Sequence, residues 1–278
     1  MIQKHSRIRR FQLRNLVVLG SIFTSLGLMA PHISLASVPS GQRLSLGQGI
    51  ASPANTNFVN YRGGWTAQNP VGAVVQENWR VTGQFSSNGN NVFGGELGYG
   101  DGSFGLAGGY RQADCDNCDG QAALAAAFTP AASVGLGFRF MEDLYGIGLL
   151  FNTGQGWRFG ITGELDDGGP SSSDRVARLG AGLGYMAGAW SFVLDASHRL
   201  VHSSQSSDDR ILLTPGLSLR ADFLEVSLNY KVVVNDNSSS GSSTDGFWFG
   251  LGLSGASYHV GLYMDYEQEL AANLSFYF

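Results

Sequence analysis

From Glu77 to the C-terminus, large apolar residues alternate with small or polar ones at a period of two, broken at intervals by Gly, Pro, Asn and Asp. That period predicts strands with one apolar face. Leu270, Ala272, Leu274, Phe276 and Phe278 share one face of the last stretch, and Ala271, Asn273, Ser275 and Tyr277 share the other. Equally clear sets are Val134, Leu136, Phe138 and Phe140; Tyr145, Ile147, Leu149 and Phe151; Trp190, Phe192, Leu194 and Ala196; and Phe247, Phe249, Leu251 and Leu253. A weaker fourth strand is read with Ala123, Ala125 and Ala127 as its outward face, and Pro215 interrupts the tenth. The reading predicts about 14 strands, or 12 if the fourth and thirteenth are discounted.

The connections alternate in length. Turns after even-numbered strands are short, as at Asp101-Gly102, Ala187-Gly188 and Gly255-Ala256. Those after odd-numbered strands are mostly longer and polar, as at Asp166 to Asp174 and Asn235 to Asp245. Short turns on one side and long loops on the other suit an all-β, transmembrane, antiparallel up-and-down barrel. A soluble sandwich would put its apolar face inward and many charges outward. Here the face opposite the apolar one is mainly Gly, Ser and Ala with scattered charges.

Composition narrows the class further. Charged residues are 14% of the 278-residue chain and Gly numbers 40, so helices are disfavoured. Lys4, Arg7, Arg9, Arg10 and Arg14 precede a mostly apolar run from Leu16 to Ala30, and Ser34-Leu35-Ala36 places small residues where a signal peptidase cuts. The expected organisation is a signal peptide over 1–36, a non-wall segment over 37–76 and the barrel over 77–278. Loss of the leader's five basic residues leaves 12 basic against 22 acidic, a formal net charge of −10. That balance argues against nucleic-acid binding.

Charged residues facing lipid at mid-depth cost about 2–4 kcal/mol each, so those within strands should face the lumen. The expected luminal set is Arg111, Arg139, Arg158, Glu164, Arg178, Asp195, Arg199, Arg210, Arg220 and Glu225. Many inward positions are glycine, and a wall of roughly 14 Å radius would not be filled by such residues. Residues 37–76 are the expected plug, with Phe58, Tyr61, Trp65, Asn69 and Pro70 as its ordering residues.

The terminal aromatic pattern resembles the C-terminal signal of bacterial outer-membrane β-barrels. That resemblance implies the bacterial outer membrane as location. It also implies recognition of Phe276 and Phe278 by the barrel-assembly machinery, with surrounding lipid and lipopolysaccharide. Asn69-Pro70-Val71-Gly72 just ahead of the first strand, with the leader, the plug and about 14 strands, resembles the FadL/TodX-type transporters of hydrophobic compounds. The resemblance implies a small hydrophobic ligand that meets the plug and leaves through a lateral gap in the wall. Val71 departs from that family's usual alanine, and the outer loops here are short.

Cys115 and Cys118 lie in one outer loop, where an oxidising compartment favours a local disulfide. Two cysteines are too few for a metal site, and no metal or cofactor is expected. His202 and Ser204, with Asp208 or Asp209, are the residues a lipid-modifying hydrolase would use. The expectation is nonetheless of no catalytic residues and no enzyme. The same strand pattern also fits a general diffusion porin, or a structural or surface barrel without transport.

Overall fold

The computed structural model describes residues 46–52, 69–75, 78–87, 91–113, 121–131, 134–141, 144–153, 155–166, 175–202, 207–236, 245–266 and 270–278. The expected signal peptide and the domain boundaries after residues 36 and 76 lie outside them.

Fourteen antiparallel strands form one closed barrel in which every strand pairs with its sequence neighbours and β1 with β14. They are β1 (Asn78–Ser86), β2 (Val92–Gly100), β3 (Phe104–Ala113), β4 (Gln121–Ala131), β5 (Val134–Met141), β6 (Leu144–Asn152), β7 (Trp157–Asp166), β8 (Arg175–Ala187), β9 (Trp190–His202), β10 (Ser207–Ala221), β11 (Leu224–Asp236), β12 (Gly246–Ser254), β13 (Tyr258–Asp265) and β14 (Leu270–Tyr277). Closure removes the unpaired edges that an open sheet would leave in lipid. A short helix, α1 (Gly72–Val75), precedes the wall.

The period of two sets which face meets lipid. In β12 buried and exposed residues alternate without a break, and Phe247, Phe249, Leu251 and Leu253 are the exposed ones. Thr82, Arg139, Glu164, Asp195, Ser197, Asn229, His259 and Ser275 are buried on the opposite face of their strands. An apolar outer surface on a closed barrel with a polar interior places the chain in the bacterial outer membrane. Aromatic residues ring both rims. Trp79 and Tyr99 (centroids 5.1 Å apart) and Trp157 and Tyr185 (4.6 Å) stand at the short-turn rim. Phe85 and Phe93 (5.1 Å) and Phe247 and Tyr266 (6.4 Å) stand at the long-loop rim. These are the interfacial girdles of a membrane barrel, where amphipathic rings meet headgroups.

The fourth strand corrects the sequence reading. Ala123, Ala125 and Ala127 are buried and face the lumen, while Leu124 and Phe128 face outward. The larger side chains take the lipid face, and the alanines leave room for α1 inside. The tenth strand also differs. The β10–β11 ladder skips Thr214 and Pro215 with the same register on either side, because proline has no N–H to give. The one register shift in this ladder lies between Ile211 and Leu212, away from Pro215. Asn235 and Asp236, expected in a loop, belong to β11, and β10 begins as early as Ser207. The wall is therefore uneven, with 13 to 15 residues in β8 to β11 against 8 in β5, β13 and β14.

Candidate functional site

Two stretches ahead of the wall lie inside it. The first, Leu46 to Ser52, is a turn. Gly47 and Gly49 take positive φ of 61° and 78°, a conformation that costs glycine nothing. Glycines alternating in this way turn successive backbone N–H groups toward one side and form an anion-holding nest. Asp195 of β9, 0% exposed, supplies the anion. Its Oδ2 accepts from the N–H of Gln48 (2.8 Å) and Ile50 (3.0 Å), and its Oδ1 from that of Ala51 (3.2 Å). The Gly47 N–H donates to Asn229 Oδ1 of β11 (2.6 Å), and Gln48 Nε2 to Thr214 Oγ1 of β10 (3.0 Å). Inward glycines let the turn approach. A Cβ on Gly160 of β7 would overlap the Ile50 carbonyl, and one on Gly182 of β8 would lie 2.8 Å from the Ala51 nitrogen.

The second stretch opens with Asn69, also 0% exposed. Its Oδ1 accepts from the Val71 N–H (3.2 Å), which caps α1, and Pro70 takes the first helical position, where a missing N–H costs nothing. Asn69 Nδ2 donates to the Ile50 carbonyl and to the Leu149 carbonyl of β6, both at 2.9 Å. One side chain thus ties the helix to the turn and both to the wall. Beneath α1, Val71, Ala73 and Val74 pack with Ala107, Ala125, Ala127 and Leu150. Gly105 of β3 would overlap the Ala73 carbonyl if it carried a Cβ, and Gly137 of β5 would come within 2.5 Å of the Val71 nitrogen. The inner wall of β3 to β5 is therefore a smooth trough of glycine and alanine that α1 fills.

The charged residues expected in the lumen divide into separate groups. At the long-loop end, Glu164 of β7 bridges Arg139 of β5 and Arg178 of β8, the latter at 2.8 Å. Arg199 and Arg210 continue that level on β9 and β10. Asp195 stands deeper, at the turn. At the short-turn end, Arg220 and Glu225 face each other across β10 and β11, and Arg158 stands opposite Gly184 of β8. Arg111 lies on β3, and the structure describes its backbone alone. Phe58, Tyr61, Trp65, Cys115, Cys118 and Ser204 lie outside the described residues, as does the His202 side chain.

The sequence reading missed several residues of this site. Arg80 of β1 forms a buried ion pair with Glu96 of β2. Its inward position follows from parity, since Trp79 and Val81 face outward on either side. Gln48, Thr214 and Asn229 were also missed. The spacing of Gly47 and Gly49 was the one local signal for the nest, and nothing nearby pointed to its partners on β9, β10 and β11.

No protein-family model matches the sequence, and no curated protein matches it. Among solved structures, a bacterial polysaccharide outer membrane secretin is similar at 8% identity and a TM-score of 0.51, over 72% of this chain and 98% of the other. An outer membrane protein of Acinetobacter baumannii, Omp33, is similar at 10% identity and a TM-score of 0.47, over 73% of this chain and 98% of its own. A Rhodopseudomonas blastica porin variant gives 10% identity and a TM-score of 0.44, over 72% and 99%. At 8% identity the likeness to the secretin is one of fold, that of a bacterial outer-membrane β-barrel.

Proposed function

We propose that the protein is a passive outer-membrane transporter, closed by its own N-terminal segment, that passes a small hydrophobic compound when this plug shifts. The observation that carries the reading is the docking of the Leu46–Ser52 turn on Asp195. A plug welded in place for rigidity alone would be held by packed apolar side chains. This turn is held largely by hydrogen bonds to polar wall side chains, those of Asp195, Asn229 and Thr214, which water or a solute can replace. The glycine–alanine trough under α1 supports a hydrophobic cargo, because withdrawal of the helix would expose an unobstructed apolar track. The resemblance to FadL/TodX-type transporters supports the same reading, since Asn69-Pro70-Val71-Gly72 is the sequence that caps and opens α1.

The test is single-channel conductance of the refolded mature protein in planar bilayers, beside a variant lacking Ser37 to Gln76. Silence in the full chain with large conductance in the variant supports a plugged transporter. Steady conductance in both would replace it with an open diffusion porin. Silence in both would refute transport through the lumen and favour a structural barrel.

A further inference from the structure

Where the docked turn meets β11, one side chain serves two places. Asn229 Oδ1 accepts the Gly47 N–H, and because an N–H needs an acceptor this fixes which end of the amide is which. The other end, Nδ2, is buried with no hydrogen-bond partner among the described residues. Two more such atoms adjoin it. Trp248 of β12 stands directly opposite Asn229, and its Nε1 is likewise buried and unpartnered among the described residues. Ser227, two residues along β11 on the same face, has its Oγ in the same condition. Asn229, Trp248 and Ser227 are 1%, 7% and 1% exposed.

Buried polar atoms are nearly always bonded, so three together on two adjacent strands mark a place that takes its partners from outside the chain. Directly opposed side chains lie about 5 Å apart, close enough for the two N–H donors to share one oxygen. A carbonyl oxygen accepts two such bonds on its two lone pairs, whereas a hydroxyl has a hydrogen of its own to place. The surroundings are aromatic. Tyr263 of β13 leans over Gly250 of β12, where a Cβ would lie 3.2 Å from its ring and would overlap the Ser227 hydroxyl. Among the described residues the buried aromatic rings of the inner face are Trp248, Tyr263 and, at the short-turn end, Tyr277. The described charges next along these faces, Glu225 and Lys231 of β11 and Asp265 of β13, are of both signs, and the three unpartnered groups are neutral. An ion would be buried here against neutral partners, a cost that an uncharged acceptor avoids. We propose that Asn229, Trp248 and Ser227 form a binding site for a small uncharged compound carrying a carbonyl oxygen on an aromatic or alicyclic skeleton. The site deepens the transport reading and rests on it for access, because its residues are closed from solvent while the turn is docked. Asn229 holds the turn by its other end, so a bound compound sits one side chain away from the plug.

The probe is acetophenone, with ethylbenzene as the same skeleton lacking the oxygen. Each is titrated into the full-length refolded protein in micelles of an uncharged detergent, with its five tryptophans labelled with nitrogen-15. The Trp248 Nε1–H resonance, assigned by its loss in Trp248→Phe, is expected to move saturably downfield with acetophenone and to stay in place with ethylbenzene. The midpoint should rise about tenfold in Asn229→Leu, which removes one of the two N–H donors. Folding of each variant is read from heat-dependent gel mobility. The titration is repeated in Asp195→Asn, where the weakened docking of the turn makes access independent of the plug. A shift in both the parent and Asp195→Asn supports the site. A shift in Asp195→Asn alone supports the site but refutes a plug that moves by itself. Absence of a shift in both, an equal shift with ethylbenzene, or an unchanged midpoint in Asn229→Leu would overturn the site and leave these donors to water.

Discussion

Asp195→Asn is the sharpest probe of the plug. The carboxylate accepts three backbone N–H groups of the turn, from Gln48, Ile50 and Ala51. Each such bond to a charged acceptor contributes about 1.5–3 kcal/mol, and a neutral acceptor provides roughly half of that. Asparagine is nearly isosteric, so the wall itself is undisturbed. Its one carbonyl oxygen must replace two carboxylate oxygens, and its amide group faces N–H donors. Over three bonds the loss comes to about 2–4 kcal/mol of docking energy. At about 1.4 kcal/mol per tenfold, the undocked population rises roughly 30- to 1,000-fold. Planar-bilayer recording reads this directly as a higher open probability in Asp195→Asn than in the parent, at equal unit conductance. Hydrogen exchange at 48–51 should quicken by a similar factor, with exchange in the β9 wall unchanged. A folded Asp195→Asn barrel with parental exchange at 48–51 would refute the argument that this carboxylate holds the turn.

Other substitutions separate the remaining contacts. Asn69→Asp keeps the cap on α1 but loses the two Nδ2 bonds, whereas Asn69→Ala loses both. Exchange at 72–74 should therefore quicken in both, the alanine variant through loss of the cap, worth about 1 kcal/mol, and the aspartate variant through a buried carboxylate oxygen set against the two carbonyls that Nδ2 bonded. Gly105→Val puts a side chain into the Ala73 carbonyl and should expel α1 while leaving a heat-modifiable barrel. Proteolysis within 69–75 that appears only in the variant would be the expected sign. Leu251→Arg places a charge on the lipid face of β12 and should lower folding stability in bilayers by about 2–4 kcal/mol, measured by urea titration. An unchanged midpoint would mean that this face does not meet lipid at mid-depth.

Much of the wall was legible because its rule is local. A residue on a strand faces lipid or lumen according to parity, and lipid penalises charge strongly enough to hold that parity along the whole chain. β12 and β14 could be read residue by residue for that reason. β4 could not, because alanine is small enough for either face and its orientation is decided by what lies against it. The candidate site was legible only as a set of inward charges. Parity says that Arg139, Glu164, Arg178 and Arg220 point inward, but not that the first three meet at one rim while Arg220 stands at the other.

The sequence by itself therefore determined the class of wall, a count of about 14 strands and most of the lipid-facing set outside β4, through its period of two. It also marked Asn69 and Pro70 as ordering residues ahead of the wall. Only the tertiary structure decided that the turn closes on Asp195, 145 positions from Ile50, and on Asn229, 182 positions from Gly47. Contacts of that separation depend on strand register and barrel closure. No local propensity encodes them, because each is set by the summed pairing of every strand between its two ends.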